Sequence, residues 1–153
     1  MPQSQTPCMQ ASLVAVCTSE RTGEKKIPVP SVRLIAGYGI EGDVHGGTGR
    51  QVSLLAVESV EPMREKMPSI ADGSFAENLL VRGLAVAALP LGTRLAVGDD
   101  GVELEITQIG KTCHAKCAIH TTVGYCIMPK EGVFARVLHG GVLRPGDTVR
   151  VLD

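Results

Sequence analysis

The chain has 153 residues, a formal net charge of −1 and a pI of about 6.4. That length suits one domain able to bury roughly 70% of its unfolded surface, so neither a disulfide nor a metal is needed for folding. There is no basic excess for nucleic acid and no block of like charge for an anionic membrane. With two Phe, two Tyr and no Trp there is no stacking platform for single-stranded nucleic acid, while one small anion in a local pocket is not excluded.

The N-terminal residues carry no basic leader before their apolar part, so no secretory signal is read and the cytoplasm is the expected compartment. Thiols stay reduced there, and five cysteines is an odd count, so a disulfide framework is not expected. ASLVAVCT, Ala11 to Thr18, reads as a buried strand, and RTGEKK, Arg21 to Lys26, as a polar turn. The two prolines of KIPVPSVRLIAG make its first part an edge or extended segment. GYGIEGDVHGGTGR, Gly37 to Arg50, is too rich in glycine for an element interior and reads as a shaped loop.

QVSLLA is a strand and VESVEPMREKM a short helix, which accommodates Pro62 only near its first turn. GSFAENLLVRG, Gly73 to Gly83, begins as a loop and ends as a strand. LAVAALPL, Leu84 to Leu91, is far short of the roughly 20 residues of a membrane span and reads as core. In Thr93–Ile109, two alternating runs flank GDDG, the pattern of a hairpin with one wet face. EGVFARVLHGG, Glu131 to Gly141, reads as a short helix because Phe134 and Leu138 stand four apart before a pair of glycines. RPGDTVRVL is a turn, with Asp147 as turn former, and a last strand. Many short strands with few helices predict a mainly β fold, a compact β-barrel or sandwich.

KTCHAKCAIHTTVGYC, Lys111 to Cys126, gathers three cysteines and two histidines. Cys113, His114, Cys117, His120 and Cys126 include enough ligands for zinc. Only one short pair, C-x₃-C, is present, however, where structural zinc sites usually have two. A reactive thiolate is the second reading. Lys111, His114, Lys116 and His120 lie close to Cys117 in sequence, and nearby cations depress a thiol's pKa; the same cations suit an oxyanion or phosphate. The third is that Cys117 is a small buried hydrophobe. Spacing alone leaves these open.

Four stretches in order, GIEGDVHGG-x-x-RQVSLLA-x-ES, GSFAENLLVRGL, IGKTCHAKCAI and MPKEGVFARVLHGGVLRPGD, resemble the successive motifs of the MOSC domain, the family named for the C-terminal domain of molybdenum-cofactor sulfurase. The likeness is to its short stand-alone members and runs from about Ala11 to Asp153, leaving residues 1–10 as an N-terminal extension. It implies a MOSC-type β-barrel with a few short helices. It also implies a cysteine that carries sulfur or ligates molybdenum, and KCAIHTTV, Lys116 to Val123, matches the family pattern at Cys117. Stand-alone members are proposed to accept sulfur from a cysteine desulfurase and pass it on as a persulfide, in the manner of a sulfurtransferase, to a molybdenum-cofactor protein or a metal cluster. Pyridoxal phosphate belongs on that partner desulfurase. The separate N-terminal barrel of the amidoxime-reducing relatives has no counterpart in this sequence.

Cys117 is therefore the leading carrier thiol, or a molybdenum ligand. Cys113 is a candidate second thiol on the same helical face and Cys126 one that approaches from a loop. His45 in the glycine loop is a candidate ligand or hydrogen-bond donor. Arg50, Lys111, His114 and Arg136 are candidates for receiving the oxo or phosphate groups of a molybdenum cofactor or of molybdate or tungstate, and Asn78 either lines the pocket or, as favoured, fixes loop geometry with Glu77. Cys8 and Cys17 read as bystanders. A binding module for the cofactor or oxyanion is the alternative to sulfur carriage, and a structural zinc protein the second alternative.

Overall fold

The computed structural model describes residues 11–20, 25–44, 46–48, 51–110 and 132–152. Its first strand, β1 (Ala11–Thr18), is buried along nearly its whole length because both faces are covered. Leu13 and Val16 point into one apolar cluster, Ala15 and Cys17 into another. The change of parity comes from a β-bulge. Leu13 pairs with Val81 and Ala15 with Leu80, so Val14 is the extra residue. β2 (Ile27–Val29) lies antiparallel on β1, where Pro28 pairs with Cys17. β3 (Val32–Ile35) and β4 (Gly39–Ile40) form the start of a small separate sheet.

The barrel is completed by β5 (Val52–Ala56), β6 (Leu79–Arg82), β7 (Arg94–Val97), β8 (Val102–Ile109), β9 (Val133–His139) and β11 (Thr148–Leu152). β10 (Gly141–Leu143) joins β3 in the small sheet. Round the barrel the order is β1, β6, β5, β9, β8, β7, β11, and β11 pairs with β1 to close a seven-stranded ring. Closure leaves the ring no free edge. Leu54, Leu79, Leu95, Leu104, Ile106 and Val133 fill the interior with almost no exposure. With so few aromatic residues, aliphatic side chains carry the core, each contributing roughly 1.5–3 kcal/mol on full burial.

Every neighbouring pair in the ring is antiparallel except β5 and β6, which run parallel. A parallel pair needs a crossover, and α1 (Val57–Lys66) supplies it. Val57, Val60 and Met63 of α1 pack on Leu55, Leu80, Phe75 and Phe134, a second core outside the barrel wall. Pro62 stands at the sixth position of α1, further in than the first turn, and removes the N–H that would reach the Glu58 carbonyl. Burial of three residues on one face of α1 holds the helix despite that lost bond.

The segment predicted as a short helix over Glu131–Gly141 is instead a strand. Within it Val133–His139 is β9, hydrogen-bonded to both β5 and β8. Val133, Ala135 and Val137 face the barrel core, while Phe134 faces outward into the cluster beneath α1. An apolar residue on the outer face broke the wet-and-dry alternation expected of a strand and produced a helical i, i+4 pair by coincidence. The hairpin is as expected, β7 and β8 pairing with Leu95 opposite Leu104 and Val97 opposite Val102. In Leu84–Leu91, Val86 is buried within a single 3₁₀ turn (Val86–Ala88), but Leu91 is exposed. Among the described residues no helix is long and apolar enough to cross a membrane.

Candidate functional site

The antiparallel register sorts the loops between the two ends of the barrel. β1 ends, and β5 and β6 begin, at one end, which receives the glycine-rich loop following β4. β8 ends and β9 begins at the other. There the Gly110 N–H donates to the Gly132 carbonyl at 2.6 Å and extends the β8–β9 ladder by one step. Residues 111–131 depart from and return to that joined pair of glycines.

At the first end the glycine loop is fastened by a buried ion pair. Lys26 Nζ lies 2.8 Å from Asp43 Oδ1, and neither side chain has any solvent exposure. The same ammonium donates to Ser19 Oγ at 3.0 Å, and Asp43 Oδ1 also accepts the Ser19 N–H at 3.0 Å. The Val44 N–H donates to the Ser19 carbonyl at 2.8 Å. Thus the residue after β1, the residue before β2 and the loop are tied at one point. Lys26, expected in a solvated turn, is the basis of this clamp. Its partner Asp43 was already marked as a loop residue, but no local pattern in KK separates the buried lysine from its exposed neighbour Lys25. Further along, the ring of Tyr38 lies against Gly46, where a Cβ would sit 2.4 Å from the ring. A side chain there would have to displace the part-exposed Tyr38 ring.

The FAEN stretch builds the adjoining turn. Ala76 adopts a left-handed φ of 64°, unusual for a residue with a side chain. Glu77 Oε2 and Oε1 accept the N–H groups of Gly73 and Phe75 at 2.9 and 3.0 Å and hold the turn in place. Burial pushes the Glu77 carboxyl above the usual carboxylate range, opposed by those two backbone donors and assisted by Asp72. Asn78 has no exposure. Its Oδ1 accepts the Ser53 N–H at 2.9 Å and its Nδ2 donates to the Cys17 carbonyl at 3.0 Å, so one amide joins β1, β5 and the start of β6. Glu77 and Asn78 thus fix loop geometry, the reading favoured from sequence.

Arg136 stands on the outer face of β9, more than half exposed, and pairs with Glu105, its cross-strand partner. Cys8, His45, Arg50, Lys111, Cys113, His114, Lys116, Cys117, His120 and Cys126 lie outside the described residues. Their attachment points are described. Gln51 Oε1 accepts the Val137 N–H at 3.0 Å, which places the end of the glycine loop four residues along β9 from Val133, or about 13 Å. A chain of the length of residues 111–131, at up to ~3.3 Å per residue, is able to cover that separation.

The sequence model of the MOSC domain matches residues 41–150, which include the glycine loop, the FAEN turn, the cysteine-rich segment and β9. The chain belongs to the MOSC domain family. That family is linked to molybdenum-cofactor sulfurase and to the biology of the molybdenum cofactor. No curated protein sequence matches the chain significantly. Among solved structures it is similar to the YUAD protein from Bacillus subtilis, with a TM-score of 0.77 and 19% identity over 94% of this chain and 96% of that one. It is also similar to YiiM from Geobacillus stearothermophilus, with a TM-score of 0.69 and 19% identity over 94% of this chain and 75% of that one. YiiM from Escherichia coli gives 0.66 and 19% over 95% and 70%. At such identities these likenesses establish the fold. They agree with the barrel described above.

Within this MOSC domain Cys17 is the one cysteine among the described residues. It is fully buried, and its thiol is pushed up to about 12, chiefly by burial and then by the charges of Glu77 and Asp72. Such a thiol is protonated at neutral pH and has no route to a partner. In a Cys17-only variant, iodoacetamide at pH 8 is expected to leave the folded protein unmodified and to alkylate it fully in denaturant, as read by intact mass. Rapid alkylation of the folded protein would show that the β1 wall opens. Among the described residues no three His, Cys, Asp or Glu side chains gather as a metal requires, so the described framework supplies no ligand set by itself.

Proposed function

We propose that this MOSC domain is a sulfur carrier in molybdenum-cofactor metabolism, with Cys117 as the thiol that bears the sulfur. The observation that carries this reading is the family match across residues 41–150, a range that includes KCAIHTTV, the stretch whose resemblance to the family pattern falls on Cys117. Two features favour it. Gly110 and Gly132, which flank the cysteine-rich stretch in sequence, are joined by a backbone hydrogen bond at one end of the closed barrel. Cys17, by contrast, is unfit for the task because it stays protonated and enclosed.

In the proposed step the Cys117 thiolate attacks the outer sulfur of a persulfide on a cysteine desulfurase. The donor's S–S bond breaks, the donor cysteine leaves as thiolate, and a new S–S bond forms on Cys117. No external oxidant or reductant enters. Lys111, His114 and Lys116 would supply the positive charge that keeps the thiol ionised at neutral pH. Cys113 or Cys126 would serve as a second thiol, and a molybdenum-cofactor protein or metal cluster would take the sulfur. Pyridoxal phosphate stays with the donor enzyme. In a cofactor-holding version of the site, Cys117 would be the soft donor to molybdenum, with Arg50 and His45 towards its oxo or phosphate groups.

Incubation with a cysteine desulfurase and cysteine, followed by intact-mass analysis without reductant, is expected to add one sulfur to the parent protein. Cys117→Ser is expected to lose the adduct, while Cys17→Ser keeps it. An unchanged adduct on Cys117→Ser would overturn the assignment. Stoichiometric molybdenum and pterin in protein purified without thiols would favour the cofactor-binding version instead.

A further inference from the structure

A cleft lies where the small sheet meets the β1–β2 edge of the barrel. The cleft there encloses about 370 Å³, within the size of small-molecule sites. Its lining mixes Val29, Val32 and Val142 with Thr18, Ser31 and Gly42, and it carries the charged Arg33 and Glu41.

The register of the small sheet fixes how those charges stand. Leu34 pairs with Ile40 and Ile35 with Gly39, so the next step pairs Arg33 with Glu41. The Glu41 N–H donates to the Arg33 carbonyl at 2.9 Å as that pairing requires. On its other side Arg33 pairs with Val142. Glu41, Arg33 and Val142 therefore stand abreast on one face, with neighbouring Cβ atoms about 5 Å apart. Cross-strand neighbours of opposite charge commonly close into an ion pair. Among the described residues these two form none, and both are exposed. At Gly42, next to Glu41 on the cleft lining, a Cβ would meet nothing within 4 Å, so the space beside the acid is open.

We propose that this cleft binds a free α-amino acid with a short apolar side chain. An α-amino acid carries its anion and its cation on one carbon, the spacing that two neighbouring side-chain heads of opposite sign can receive together. The guanidinium of Arg33 takes the carboxylate through its paired donors. The Glu41 carboxylate takes the ammonium. The side chain lies against Val142, which stands beside Arg33 on the same face and offers a small apolar contact. The inference uses none of residues 111–131 and stands independently of sulfur carriage.

The test is an NMR titration of the uniformly ¹⁵N-labelled full chain with L-valine, beside isovalerate, which lacks the ammonium, and isobutylamine, which lacks the carboxylate. L-valine is expected to bind with a dissociation constant of about 0.1–10 mM and to shift the amides of Arg33, Glu41, Gly42 and Val142. Each single-charge analogue is expected to bind at least about tenfold more weakly, as are Arg33→Gln and Glu41→Gln with L-valine. Absence of localised shifts up to about 50 mM L-valine overturns the proposal, as does equal affinity for either analogue. Undiminished binding by both variants overturns it as well. Cys117→Ser alters none of the described lining residues and is expected to bind L-valine like the parent.

Discussion

Lys26→Met is expected to lower the stability of the domain by about 3–5 kcal/mol, read from urea denaturation at constant m-value. The lysine and Asp43 are both without exposure, and Lys26 Nζ is the cation 2.8 Å from that carboxylate. Removing one member of a buried pair takes the opposite charge away from the other in a site without exposure, which costs more than the pair itself contributes. A domain of ordinary stability, about 5–15 kcal/mol, would lose a large fraction of it. The double variant Lys26→Met with Asp43→Asn separates this from mere loss of packing. The asparagine Oδ1 can still accept the Ser19 N–H, and no net charge remains buried, so most of the loss should be recovered. A double variant as unstable as the sum of the singles would show that the pair is not coupled. The effect should extend to the glycine loop, because Asp43 and Val44 are both bonded to Ser19.

The barrel was legible wherever one side of a strand is wet or both sides are plainly apolar. β7 and β8 alternate cleanly because Glu103 and Glu105 are on the outside while Leu104 and Ile106 fill the core. β1 is an apolar run, as a strand covered on both sides should be, although its bulge at Val14 left no mark in the sequence. β9 failed for a three-dimensional reason. Its outer face carries Phe134, which lies beneath α1, and that contact is made across more than seventy residues of chain. Its two valines and phenylalanine between flanking glycines were the available signal for a strand.

The site divides in the same way. Glu77 acts on Gly73 and Phe75, two and four residues away, so its loop-forming role follows from local chemistry. Lys26 acts on Asp43 across the β2–β4 excursion, and sequence alone places it among solvated charges. Arg136 changed meaning with its element. On a helix its fourth neighbour was Gly140 and it had no partner in view, whereas on a strand it stands opposite Glu105. The motif order that marks the MOSC family thus contains two kinds of residue. GIEGD and FAEN hold the base of the barrel together, and the chemistry proposed for this domain resides in KCAIHTTV.

That division predicts the behaviour of Asn78, a residue carried into the candidate site by its motif. Asn78→Ala is expected to cost about 2–6 kcal/mol, because two buried backbone groups lose their partners at once. The Ser53 N–H would lose Oδ1 and the Cys17 carbonyl would lose Nδ2, each at a cost of about 1–3 kcal/mol, and no solvent reaches the position to replace them. Asn78→Asp keeps an acceptor for Ser53 but offers Cys17 no donor, and it brings a carboxylate against a carbonyl in a site without exposure, so it should fare no better. The discriminating measurement pairs stability with sulfur loading. If Asn78 holds only the framework, Asn78→Ala should gain sulfur in full at temperatures well below its lowered Tm. Full stability together with lost loading would instead place the amide at the chemistry. The geometry favours the first outcome, since both polar ends of Asn78 are already engaged by the backbone of β1 and β5, leaving neither turned towards a ligand.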